Sequence, residues 1–326
     1  MDGTAIPVLM PLWQQRVSHE VRGLVSAGDR LVAQAGSLLL GLLPSGRCAW
    51  SREFKDLGGR SRLVSMAGSV YLETDAIERI DARTGHTLMR RSLGPDMSLG
   101  SESGLLTCTS GTSGRFHVLD PETLQTVASC IDLEERVSLH GGLLCETTED
   151  HVLVLRDPWT GVEIGRLTAP DRAAHVHHAQ SVCFFSATER LALDLGSGRT
   201  VWQKQTEPDS GEGTAPLPLR YRDLAFVAGR GVSAYDLVTG ERRWRALEQE
   251  PGLRLRLESI EGRVVLDSES RVHVVDSTTG RRVGSRDCGL TISIPVLAPG
   301  GLVAVLGVTA EGDRELHGLL VVSATP

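Results

Sequence analysis

The stretch VSAYDLVTGERRWRAL, residues 232–247, is one of six versions of a single phrase. An apolar, β-rich run ends at an aspartate, a few residues turn, a glycine closes the turn and a second run leaves it. The aspartates are Asp81, Asp120, Asp157, Asp194, Asp236 and Asp276, so the steps are 39, 37, 37, 42 and 40 residues. The phrase describes a hairpin. An aspartate ending a strand accepts hydrogen bonds from backbone amides two or three residues on, a threonine before the glycine adds its hydroxyl, and glycine enters the positive-φ region without strain. Where a tryptophan follows the glycine by four residues, at Trp50, Trp202 and Trp244, the spacing predicts a ring wedged between neighbouring sheets. The positions that vary between copies are those facing solvent.

A second hairpin precedes each phrase, as in RLVSMAGSVYLET and LRYRDLAFVAG. Each unit therefore reads strand, turn, strand, turn, strand, Asp–Gly turn, strand. A period near 40 residues built from strands alone is that of a β-propeller, whereas helical repeats of similar length would carry a 3.6-residue apolar period. Two degenerate units flank the six good ones. LLLGLLPSGRCAWSREF keeps Gly46 and Trp50 but has Leu42 where the aspartate should stand. ISIPVLAPGGLVAVLGV and ELHGLLVVSAT supply three strands at the C-terminal end, and VLMPLWQQRV supplies a lone outer strand with Trp13. The reading is all-β, with one domain over 1–326 and eight four-stranded blades. The N-terminal strand over 8–17 closes the C-terminal blade beside 316–323, which removes an open sheet edge. Seven blades is the alternative if the weakly marked unit over 94–130 is misread.

The phrase of apolar strand, Asp-x-x-Thr-Gly and Trp four residues later resembles the PQQ-type β-propeller repeat shared by quinoprotein dehydrogenases and the outer-membrane assembly lipoprotein BamB. The resemblance covers nearly the whole chain and implies the fold, because these residues fasten blades together. Quinoprotein enzymes are much longer, carry adjacent cysteines near the cofactor and bind calcium through acidic and amide side chains. This chain has no Cys-Cys pair and no recognisable ligand set, so neither a cofactor nor a metal is expected. BamB-like proteins carry a lipoprotein signal that the opening MDGTAIPVLMPLWQQRV does not show.

The formal charge is −7, from 34 basic and 41 acidic residues, and the arginines are scattered. Phosphate affinity needs clustered Lys and Arg, so neither nucleic acid nor an anionic membrane is an expected partner. The opening lacks a basic n-region, and no window approaches the ~18 apolar residues of a membrane span. The chain reads as a soluble, cytoplasmic monomer. Its six cysteines lie far apart without a C-x-x-C pair and mostly within apolar runs, so they read as small buried hydrophobes.

Sites are sought on the first strand of each blade, which in a propeller lines the central channel, and on the rim loops. The residues opening the blades are Arg22, Arg62, Glu102, His140, His175, His177, His178, Arg220, Arg222 and Glu258. The densest group is AHVHHAQ, where a period of two puts His175 and His177 on one face and His178 on the other. Such a pair can act as general acid or base near neutral pH, with His140 joining from another blade, or hold a metal with His140 or Glu102 as third ligand. It can equally line a water-filled channel. Two functions follow. The leading one is a non-catalytic scaffold that holds a protein or small molecule through Trp159 in DPWTG, through the loop over 205–218, or through Arg22, Arg62, Glu102, Arg220 and Glu258 in the funnel. The alternative is a cofactor-independent lyase, isomerase or cyclase working through His175, His177 and His140.

Overall fold

The computed structural model describes residues 9–16, 21–54, 61–92, 97–102, 104–110, 115–130, 137–140, 142–148, 152–168, 174–186, 189–205, 218–229, 231–248, 250, 253–255, 262–268, 270–298, 302–310 and 313–321. Among these residues every regular element is a strand, and the strands form eight four-stranded sheets, an eight-bladed β-propeller. Blades 1 to 7 are contiguous in sequence, over 21–53, 63–92, 97–130, 137–168, 174–205, 219–246 and 254–287. Blade 8 takes three strands from 291–321 and its fourth from Leu9–Arg16. The weakly marked unit is thus a full blade, and the count is eight.

The chain divides into two compact units, one of residues 1–74, 78–88 and 244–326, the other of residues 75–77 and 89–243. The first holds blades 1, 7 and 8 and most of blade 2. In it Leu9–Arg16 runs antiparallel to Arg314–Val321, from Leu9 opposite Val321 to Arg16 opposite Glu315, with an irregularity between Pro11 and Trp13. The second unit holds blades 3, 4 and 5 and most of blade 6.

The second and third strands of the blades are largely apolar, and some are apolar on both faces, as SVCFF and VLVLR are in the second unit. Fourth strands such as CAWSRE alternate, because one face meets water. Between blades 1 and 2 the core is built from Val25, Val32, Leu39, Val70, Leu72 and Ile80, and between blades 4 and 5 from Cys145, Leu153, Leu155, Val182 and Phe184. Cys108, Cys145 and Cys183 are buried as expected, whereas Cys48 is exposed.

The repeated phrase acts across blades. The Trp50 indole donates to the Ala82 carbonyl at 2.9 Å, Trp202 to Leu237 at 3.0 Å, Trp244 to Ser277 at 3.0 Å and Trp13 to Pro44 at 2.8 Å. In the first three, the acceptor directly follows the turn aspartate of the next blade. Each ring also covers the next blade's turn glycine. A Cβ on Gly280 would stand 2.5 Å from the Trp244 ring, and one on Gly240 2.5 Å from Trp202. Gly280, at φ +69°, is therefore needed for its backbone conformation and for its missing side chain. Blade 3 manages without glycine: Leu124 takes the turn position at φ 57° and is fully buried. Blade 7 has Gly284 where sister blades carry the tryptophan, and Leu9 from the closing strand packs against it.

The turn aspartates do what their type predicts. Asp236 Oδ1 accepts from the amides of Val238 and Thr239, both at 2.9 Å, and the same pattern recurs at Asp81, Asp120, Asp157 and Asp276. Burial pushes the carboxyls of Asp81, Asp157, Asp236 and Asp276 up, but hydrogen bonds outweigh it and hold them below the ordinary value. The turn amides are foremost at Asp81 and Asp157, the Arg243 guanidinium and then the amides at Asp236, and the Thr279 hydroxyl and amide at Asp276; at Asp194 the Ser197 hydroxyl and amide do so.

His273 is a second pH-sensitive group. It is fully buried in blade 7, with Nδ1 3.1 Å from the Ser285 hydroxyl, and burial pushes it down from 6.5 to about 4 against the opposing charge of Glu250. Between those values the unfolded chain takes up a proton that the folded chain refuses, so stability falls as pH drops from 6.5 to 4, by on the order of 3 kcal/mol. The depressed aspartates stabilise the fold above the unfolded carboxyl value of ~3.9, and that share is lost only below it. Melting temperature against pH should therefore fall in two limbs. His273→Leu should flatten the upper limb and leave the lower; an unchanged upper limb would place the titrating group elsewhere.

Candidate functional site

The first strand of blade 5, Ala174–His178, pairs with Ser181–Phe185 so that His175 lies opposite Phe184, His177 opposite Val182 and His178 opposite Ser181. Directly opposed residues share a face of a sheet. Phe184 and Val182 pack toward blade 4, and accordingly the half-buried His175 ring stands 6.0 Å from the Phe184 ring, tilted by 48°. Val176 and His178 take the other face, where Val176 joins the core shared with blade 6. His178 is buried, and its Nε2 lies 2.9 Å from Oδ1 of the exposed Asp223, in the first turn of blade 6. The histidine run thus joins two blades through His178, the residue expected to turn away from the pair.

The remaining first-strand residues are dispersed. Arg22, Arg62 and Arg220 are exposed and each belongs to a different blade. Arg220 Nε donates to the Arg222 carbonyl at 3.1 Å, and Arg222 sits over the Tyr221 ring, 5.1 Å from its centroid. His140 and Glu102 end the first strands of blades 4 and 3, and their side chains, like that of His177, lie outside what the structure describes. Glu258 and residues 206–217 of the long loop also lie outside the described residues. Among the described residues, no three His, Cys, Asp or Glu side chains come together as a metal site.

The rim formed by the Asp–Gly turns of the second unit is different in character. Trp159 is 50% exposed, and Val162 and Ile164, just beyond the same turn, are 63% and 45% exposed. Val127, Val201 and Val238 occupy comparable places in blades 3, 5 and 6 and are exposed too. The turn explains why a tryptophan can stand there. Its amide donates to Asp157 Oδ1 at 2.9 Å, and the Thr160 amide and hydroxyl bond the same oxygen at 2.7 and 3.0 Å. The backbone under the ring is therefore held in place by the turn, so a contact made there would cost little ordering entropy. Trp159 was legible because its place in the phrase is a turn; Val162 and Ile164 were not singled out, although Ile164, Arg166 and Thr168 alternate as the wet face of the outer strand Glu163–Thr168.

Four-stranded sheets, Asp–Gly hairpins and interblade tryptophans define a PQQ-type β-propeller. Residues 148–291 match the family described as outer membrane protein assembly factor BamB, which supports a PQQ-type β-propeller. No curated protein sequence matches the chain. Among solved structures, BamB from Moraxella catarrhalis is similar at 15% identity and a TM-score of 0.61, covering 96% of this chain and 98% of that one. Quinohemoprotein alcohol dehydrogenase from Comamonas testosteroni is similar at 12% identity and a TM-score of 0.59, covering 98% of this chain and 77% of that one. The computationally designed Ika8 protein is similar at 12% identity and a TM-score of 0.66, covering 95% and 98%. At these identities the likeness is one of fold.

Proposed function

We propose that this propeller is a non-catalytic scaffold that holds a protein partner against the Asp–Gly rim of blades 3 to 6. The observation that carries the reading is Trp159, an exposed indole on a turn locked by Asp157 and flanked by exposed Val162 and Ile164. Tryptophans on rigid supports are the residues that concentrate binding energy at protein interfaces. The family match spans this hairpin and is to an assembly factor, a task that calls for contact with other proteins. The test is affinity capture with the tagged wild-type chain and with a Trp159→Ser, Ile164→Ser variant. The variant should melt with the wild type, because both side chains are solvent-facing, and should hold the captured partner at least about tenfold more weakly. A partner retained equally by the variant would contradict the assignment.

A further inference from the structure

The interface between blades 7 and 8 follows the plan of that between blades 1 and 2, with its filling removed. In the latter, Arg52 bonds the Gly85 carbonyl at 3.5 Å and the Glu78 carboxylate at 3.0 Å. Thr87 donates to the same carboxylate at 2.7 Å, and the Phe54 ring lies under the guanidinium, 4.3 Å from centroid to carbon. Arg286 is the counterpart of Arg52, each lying six residues beyond its turn glycine, Gly280 and Gly46. It makes the counterpart bond, to the Leu9 carbonyl at 3.2 Å. Cys288 replaces Phe54: its amide bonds the Ser270 carbonyl at 2.9 Å, as that of Phe54 bonds Ser37 at 2.8 Å. With Trp13 opposite Gly318, His317 opposite Gln14 and Pro11 opposite Leu319, the register puts His317 in the place of Glu78 and Pro11 in that of Thr87.

The ring, the carboxylate and the hydroxyl have therefore all gone, and the guanidinium remains. What is left is a cavity of about 190 Å³ whose lining includes Arg286, Cys288, His317, Pro11, Leu290 and Leu319, together with the acidic Asp287 and Glu315. Among the described residues the Arg286 guanidinium makes one hydrogen bond, to the Leu9 carbonyl, and no ion pair. Both lining carboxylates are already engaged: Glu315 accepts from Gln14 at 2.6 Å and pairs with His317 at 2.9 Å and Arg16 at 4.0 Å, and Asp287 accepts from the Gly289 amide at 2.9 Å. A guanidinium in this setting favours a planar anion, which it binds through paired charge-assisted hydrogen bonds, and an aromatic face, on which it stacks.

We propose that this pocket binds a single-ring aromatic carboxylate, its ring where Phe54 lies in the sister interface and its carboxylate on Arg286 where Glu78 stands. Two sources share that chemistry, a free aromatic acid and the C-terminal aromatic residue of a peptide. The test titrates the full-length protein with benzoate, followed by saturation-transfer NMR and melting temperature. Benzamide serves as the uncharged control, and a short peptide ending in phenylalanine is used with free and amidated terminus. Benzoate should saturate, and affinity should drop at least about tenfold for benzamide and for benzoate on Arg286→Gln. Cys288→Phe should abolish binding and melt no lower than the wild type, because its ring fills the hole. Tighter binding of the free-terminus peptide than of benzoate assigns the site to a chain end, and the reverse order assigns it to a free acid. Non-saturating benzoate, equal binding of benzoate and benzamide, or a Cys288→Phe protein that binds as the wild type does overturns the proposal. Should Cys288→Phe fail to fold, the benzoate–benzamide comparison on the unaltered protein decides alone.

Discussion

Deleting residues 1–16 should leave a chain that melts far below the full-length protein and aggregates as it does so. Leu9–Arg16 is the outer strand of blade 8, and its loss bares the backbone edge of Arg314–Val321. Two side chains go with it. Leu9 is fully buried among Val272, Val274, Val303 and Val305, in the space a tryptophan fills in sister blades. The Trp13 ring lies against Gly46 of blade 1 and Gly318 of blade 8 and donates to the Pro44 carbonyl. Truncating a buried leucine or tryptophan alone costs about 2–5 kcal/mol, so their joint loss should remove at least about 5 kcal/mol from a fold whose total stability is of that order. Circular dichroism melting with light scattering reads both effects. A truncated chain that melts within a few degrees of the full one would show that the closure does not hold the fold.

Trp244→Ala should cost about 3–5 kcal/mol in urea unfolding, and Gly280→Ala a similar amount for the converse reason. The tryptophan buries its ring on Gly280 and bonds the Ser277 carbonyl, while a methyl at Gly280 would both clash with that ring and demand a left-handed backbone. Because the two changes meet at one contact, they should not add: removing the ring relieves the clash, and the double variant should lose less than the sum. Additive costs would mean that the two residues stabilise the fold separately.

The fold was legible because its fastening is local in sequence. Asp236, Thr239, Gly240 and Trp244 lie within one hairpin, and most copies keep enough of the spacing for blade number and closure to follow from counting. What the glycine is for was half legible. Positive φ can be read from turn chemistry, but the ring that lies on Gly240 comes from Trp202, a blade earlier, and only packing reveals it. The histidine run was legible as a cluster and not as a geometry. Side chains of a blade's first strand turn to the two faces of their own sheet, so His175 meets Phe184 and His178 meets Asp223. The pocket of blade 8 was invisible for another reason. It exists because Cys288, His317 and Pro11 stand where Phe54, Glu78 and Thr87 stand elsewhere, and that comparison needs the register of a strand joined to its partner from the far end of the chain.

If a partner sits on the Asp–Gly rim, as proposed, the most direct measurement is a hydrogen-exchange footprint of the captured partner on the full-length protein. The backbone amides of 157–164, with those near Val201 and Val238, should gain protection in the complex, while those of 174–178 in the histidine strand should exchange as they do in the free chain. Protection confined to 174–178, with the rim unchanged, would contradict the account.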